Sequence, residues 1–148
     1  MNIRLNYSRL IVAIPYRATA TTKNESIKDV FMNEIATLND AVRQSLVNLE
    51  VKNSLALIHC RFEIMMTANL QHTIENKVGL LKAIAEFDHF NEHNDPYEEH
   101  DCFRFQFEDE WIIAKFDYYA PDMEHGSEDV SDLNKTIRVL TIMLAIDY

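Results

Sequence analysis

From Cys102 to Phe107 the chain alternates: Phe103, Phe105 and Phe107 fall on one side, Cys102, Arg104 and Gln106 on the other. Successive side chains of an extended chain point to opposite faces, so a period of two predicts a half-buried strand. Glu108-Asp109-Glu110 reads as a turn. Trp111 to Tyr119 alternates again, with Ile112, Ala114, Phe116 and Tyr118 opposing Trp111, Ile113, Lys115, Asp117 and Tyr119. Two such runs joined by a short polar segment predict an antiparallel hairpin over 102–119. The turn lacks the Asn-Gly pair that tight hairpins favour, so its length is left open.

Just upstream lies Asn94-Asp95-Pro96-Tyr97-Glu98-Glu99-His100-Asp101, four carboxylates and an imidazole in eight residues. Pro96 forbids a continuing helix. A loop this polar, held between an apolar helix pattern ending near Phe90 and the hairpin, is where a site is expected.

Along the rest of the chain, Arg9 to Tyr16 reads as a short strand or loose arm, and Thr22 to Glu25 as a capping box. Ile27, Val30, Phe31, Ile35, Leu38, Ala41, Val42 and Leu46 recur every three or four residues, predicting a helix from about Glu25 to Leu49. On it Asn39 and Arg43 share a face, and Asp40 stays solvated. Ser54 to Met66 reads as extended. A second helix is expected over Gln71 to Phe90, weakened slightly by Gly79. Ala120 to Asn134 is a polar connector. Asn134 to Ile146 is apolar nearly all round, which predicts a buried central helix. The expected fold class is α+β: a single domain over 25–148, preceded by a basic arm over 1–24, with an antiparallel sheet that includes the hairpin packed against about three helices.

At 148 residues and 47% hydrophobic content the chain can bury a core without a metal or disulfide staple. The net charge of -10 is unevenly spread: Arg4, Arg9, Arg17 and Lys23 precede the first acid, and the rest of the chain is strongly acidic. Such a body repels phosphate backbones and favours cationic protein surfaces. No membrane and no direct nucleic-acid partner is expected. Cys60 and Cys102 form no CxxC pair and read as reduced structural thiols of a cytoplasmic protein. The apolar run Leu10 to Ile14 is too short for a secretory core.

Asp95, Glu99, His100, Asp101 and Asp117 are the candidate acid–base or metal groups, because the loop and the hairpin flank one sheet. A like-charge pair there would raise one carboxyl pKa. The structural alternative has Asp95 and Asp101 capping turns, His100 bonding a backbone carbonyl, and Asp117 pairing with Arg138 or Lys115. No HExxH, GxSxG or phosphate-loop motif is present. His59 and Cys60 are adjacent on an extended segment and so face apart. His89 and His93 have metal-ligand spacing only if the helix continues. As an acidic and aromatic partner-binding surface the chain offers Tyr97, Glu98, Glu99, Glu108, Asp109, Glu110, Asp122, Glu124, Glu128 and Asp129.

Leu38-Asn39-Asp40 with Arg43, Phe87-Asp88-x-Phe90, Asn94-Asp95-Pro96-Tyr97-x-Glu99-His100-Asp101, Lys115-Phe116-Asp117-Tyr118-Tyr119, Gly126-Ser127-Glu128-Asp129 and Thr136-x-Arg138-Val139-Leu140-Thr141-Ile142-Met143-Leu144-Ala145 occur in one order. In this the chain resembles the bacterial domain of unknown function numbered 3768, over about residues 33–148. It departs from that pattern at Glu98, where the family usually has Gly, at Cys102-Phe103, usually Phe-Gly, and at Ala114, usually Trp. The resemblance implies a bacterial protein often carried on plasmids and other mobile elements, and supplies no activity. Joined to the charge, it leads to an expectation of a non-enzymatic, cofactor-free binding protein that inhibits a host nucleic-acid-handling or defence complex, such as a CRISPR effector, by protein contact. The alternative expectation is a small metal-dependent hydrolase or nuclease-like enzyme built on the Asn94–Asp101 loop.

Overall fold

The computed structural model describes residues 27–148, with side chains from residue 34 onward. The strand at Arg9 to Tyr16, the capping box at Thr22 to Glu25 and the basic arm lie outside the described residues. Among the described residues, four helices and four strands follow in the order α1 (Ile27–Gln44), α2 (Leu49–Leu57), β1 (Arg61–Met66), α3 (Ala68–Thr73), α4 (Lys77–Glu86), β2 (Cys102–Phe107), β3 (Glu110–Tyr119) and β4 (Ile137–Leu144), then a 3-10 turn at Ala145–Asp147. The fold class is α+β. The sheet runs β1-β4-β3-β2, with β3 antiparallel to both neighbours and β1 parallel to β4, so it is mixed rather than purely antiparallel.

The hairpin forms as its alternation predicts. Phe103 sits opposite Ala114, and Phe105 opposite Ile112. Phe103, Ile112, Ala114 and Phe116 face the core, which Leu38, Val42, Leu55, Leu70 and Ile84 complete from the helices. Each large aliphatic side chain buried this completely contributes about 1.5–3 kcal/mol relative to an exposed one.

Four expected elements differ. The run expected as the central helix is the strand β4, hydrogen-bonded on both sides. Its two faces are both covered, with Val139 and Met143 buried on one and Leu140, Ile142 and Leu144 on the other. A strand buried on both faces loses its period-two signature and becomes a continuous apolar run. The first expected helix stops at Gln44, because the side chain of Asn48 accepts from the Glu50 and Val51 N–H groups and starts α2. Ser54 to Leu57 are therefore helical, not extended. His59, at φ 59°, turns the chain out of α2 before β1 begins. The second expected helix is two helices. Asn76 accepts from the Gly79 N–H at 2.8 Å and opens α4. A Cβ on residue 79 would meet the Asn76 amide, so any larger residue there would make the capping side chain shift. The Glu108 carboxylate, from the hairpin turn, accepts from the N–H groups of Glu75 and Asn76 at 2.9 and 2.8 Å and ties the hairpin to the same break.

Candidate functional site

The Asn94–Asp101 loop is folded around one carboxylate. Asp95, 5% exposed, accepts from the backbone N–H of Glu99 at 3.1 Å and of His100 at 3.2 Å. This closes a turn in which Glu98 and His100 take positive φ, 54° and 53°. Glycine reaches that region at no steric cost, whereas Glu98 and His100 are held there against their ordinary preference. The Asn94 side chain accepts from the Asn91 N–H and the Asn91 side chain from the His93 N–H, bracing the start of the loop, and the Asn94 amide donates to the His89 carbonyl at 2.7 Å.

The tight turn presents His100 to α1. Its ring stacks on Phe90 at 3.8 Å between centroids and 6° between planes. Its Nδ1 lies 2.9 and 3.0 Å from the two Asp40 oxygens, and its Nε2 lies 3.6 Å from Asp95 Oδ2. Asp40 also accepts from the Arg43 guanidinium. Arg43, 2% exposed, donates through Nη1 to the carbonyls of Ile84 and Phe87 at 2.7 and 2.9 Å. Its guanidinium carbon lies 5.2 and 5.1 Å from the centroids of Phe90 and Phe103. One turn away, fully buried Asn39 donates to the Glu99 carbonyl at 2.9 Å and to the Tyr118 oxygen at 2.7 Å. Asn39, Asp40 and Arg43 thus form a clasp that fixes the loop, the end of α4 and the hairpin to one face of α1.

Burial pushes the Asp40 carboxyl up, but the hydrogen bond from His100 and the charge and hydrogen bond of Arg43 outweigh it and hold Asp40 below the ordinary carboxylate value. Glu99 and Asp101 move the other way. Burial comes first for both; repulsion from Asp101 and Asp95 then raises Glu99 further, and repulsion from Asp95 and Asp117 raises Asp101. Burial also raises the Tyr118 phenol.

These opposite shifts give opposite pH behaviour. A carboxyl depressed in the fold, such as Asp40, contributes stability above its unfolded value near pH 4, lost as pH falls through the lower folded value. A carboxyl raised in the fold, such as Asp101, costs stability above its folded value, and the cost disappears as pH falls below the unfolded value. Asp101→Asn is therefore expected to raise the thermal midpoint at pH 7 by on the order of one to three degrees and to leave it unchanged at pH 3. Asp40→Asn is expected to lower it at pH 7 and to matter least at pH 3. Paired thermal melts at the two pH values check both.

Of the candidate acid–base groups, the fold brings Asp95, Glu99, His100 and Asp101 together. Asp117 accepts from Lys115 Nζ at 2.7 Å, one of the two cations expected for it, and its charge is among those that raise the Asp101 carboxyl. Among the described residues no group of three or more His, Cys, Asp or Glu side chains is arranged to hold a metal ion. Asp95 caps the turn as expected. His100 does not bond a backbone carbonyl through its ring; it bonds Asp40, which is held in the clasp rather than solvated. His89 and His93 lie beyond the end of α4, so no helical pair forms, and His89 pairs with Asp88.

The surface residues divide. Tyr97, Glu98, Asp109, Glu124 and Glu128 are exposed, while Glu99 and Glu110 are half-buried. Glu108 braces the start of α4. Asp122 accepts from the Glu124 and His125 N–H groups, and Asp129 from Ser131, so both shape their own loops. Asp40 appears in the sequence pattern with Asn39 and Arg43 but was expected to be solvated; its i,i+3 spacing to Arg43 was the signal of its engagement.

No curated protein and no solved structure matches the chain. Asn39, Asp40 and Arg43, the clasp on α1, precede the segment that a family model covers. That model, described as "Protein of unknown function (DUF3768)", matches residues 66–147, which is more than half of the chain, and the protein belongs to this family.

Proposed function

We propose that the protein is a non-enzymatic binding module of a bacterial mobile element, which occupies a basic protein surface with its own acidic one and so inhibits a host nucleic-acid-handling or defence complex such as a CRISPR effector. The observation that carries this reading is how the carboxylates are divided. Asp95 and His100, two of the candidate catalytic groups of this loop, are engaged in the turn and with Asp40. Glu98, Asp109, Glu124 and Glu128 stand in solvent instead. Exposed charge of one sign steers association and fixes which partners are repelled.

The test is competition. The chain is titrated into a purified effector complex carrying labelled DNA. Release of the DNA is expected, weakening as salt rises. The variant Asp109→Lys/Glu124→Lys/Glu128→Lys, which leaves Glu108 and its helix contacts alone, is expected to need about tenfold more protein, equivalent to 1.4 kcal/mol. DNA retained at every concentration counts against the reading.

One observation favours the second reading, a metal-dependent hydrolase: the raised carboxyls of Glu99 and Asp101 beside Asp95 and His100. Perturbed carboxyls gather at catalytic sites as well as in structural networks. Heat on titration with magnesium or manganese, abolished by Asp101→Asn, would favour it.

A further inference from the structure

We infer that two copies of the chain associate face to face through the side of the sheet that the described helices leave open, with Glu63 of each copy against Arg104 of the other. This goes beyond the binding-module reading and does not rest on it.

The described helices use one face of the sheet. Leu38 of α1, Leu55 of α2, Leu70 of α3 and Ile84 of α4 all join one core with Ile112 and Leu140. Alternation sends Val139, Met143, Ile113 and Trp111 to the other face. Val139 and Met143 are 4% and 8% exposed, yet they stand outside that core. Side chains to either side of them, not a helix, provide their cover. At the margins of this face Met65 and Trp111 are 54% and 43% exposed. A strand that is apolar on both sides, as β4 is, has the composition of one packed on both faces. Among the described residues no helix supplies the second packing.

Charge selects a second copy as the occupant. The chain carries a net charge of -10, so two copies repel one another over most of their surface. This face is close to neutral, and most of its charges are engaged. Lys115 donates to Asp117 at 2.7 Å, and Arg61 to the Asn134 carbonyl at 3.1 Å. Glu63 and Arg104 are left. Both are exposed, and among the described residues neither has an ion-pair partner; Arg104 only lies over Trp111 at 4.1 Å.

The register fixes where these two charges stand. Glu63 is level with Val139 and Asp117, and Arg104 with Ile113 and Met143. They lie on the two edge strands, about 14 Å apart across the sheet and about 13 Å apart along it, and so are diagonally opposite. A two-fold axis in the interface, perpendicular to that diagonal, sets each Glu63 over Arg104 of the second copy and makes the contact twice. The strands of the two sheets then cross near a right angle, one of the two stable ways in which sheets stack. The same axis carries Trp111 towards Met65 of the second copy, so the most exposed apolar side chains of the face cover each other. The face measures about 19 by 20 Å. That is small beside the roughly 800 Å² per partner of a standard interface, so the dimer is weak and reversible, in the micromolar range.

The experiment is sedimentation of the full chain across the micromolar range, in salt near physiological strength. The average mass is expected to climb from one chain towards two. Glu63→Arg and Arg104→Glu are each expected to weaken association about tenfold, because like charges then meet. The swapped variant Glu63→Arg/Arg104→Glu is expected to return to within about twofold of the parent. Both side chains are exposed, so thermal melts should show all three variants folded as the parent is. A single chain at every concentration would overturn the inference outright, and growth past two copies would overturn the closed two-fold arrangement. Association that neither single variant weakens would overturn this face as the contact. A swapped variant no stronger than the singles would overturn the pairing of Glu63 with Arg104. None of these results bears on the effector competition, so the two readings fail separately.

Discussion

Replacing Arg43 with methionine is expected to cost about 3 kcal/mol of folding stability, at the lower edge of what breaking a buried ion pair costs. The volume is roughly kept, so the loss reports on the guanidinium. Without it the carbonyls of Ile84 and Phe87 lose their donor, and Asp40 keeps only His100. Unsatisfied buried acceptors each cost about 1–3 kcal/mol, softened here because Asp40 is 26% exposed and can take water. A domain holds only about 5–15 kcal/mol in total, so the urea midpoint should fall sharply. Arg43→Lys should recover less than half, because one ammonium cannot reach two carbonyls and a carboxylate while lying between two rings. A loss below about 1 kcal/mol for the methionine variant, within the range of ordinary surface changes, would show that the clasp is not what holds α1 to α4.

The parts of this fold that were legible in the sequence are those with a solvent side. The β2–β3 hairpin alternates because one face meets the core and the other is half-exposed, and both strands form as expected. Strand β4 was illegible for the opposite reason. Covered on both faces and paired on both edges, it carries no period at all, and Ile137 to Leu144 looks equally like a buried helix. The helix breaks were missed because each rests on a single asparagine side chain, Asn48 or Asn76, whose capping role is visible only once the backbone has turned. At the site, the density of polar groups around Pro96 marked the loop, and Asp95 and His100 do organise it. The partner of His100 was not legible. Asp40 lies sixty residues away on a helix face whose apolar stripe drew the eye to its other side.

Truncating Asp95 to alanine is the second large change, with an expected loss of about 2–3 kcal/mol. The carboxylate accepts from two backbone N–H groups, and no water replaces it where it is 95% covered unless the loop opens. Opening relieves the unpaired donors but releases the positive φ at Glu98 and His100, so it also withdraws His100 from Phe90 and Asp40. The result is thus visible twice. Urea unfolding should show the lost stability, and the His100 ring protons, shifted by the Phe90 ring current in the native protein, should move to ordinary positions in the spectrum of the still-folded variant. Asp117→Ala serves as the comparison: its carboxylate is 39% exposed and bonded to one lysine, so its removal should cost under about 1 kcal/mol and leave the His100 signals in place. If instead Asp95→Ala stays within about 0.5 kcal/mol of the parent, Asp95 is dispensable to the frame, and its burial beside His100 would then call for a chemical role.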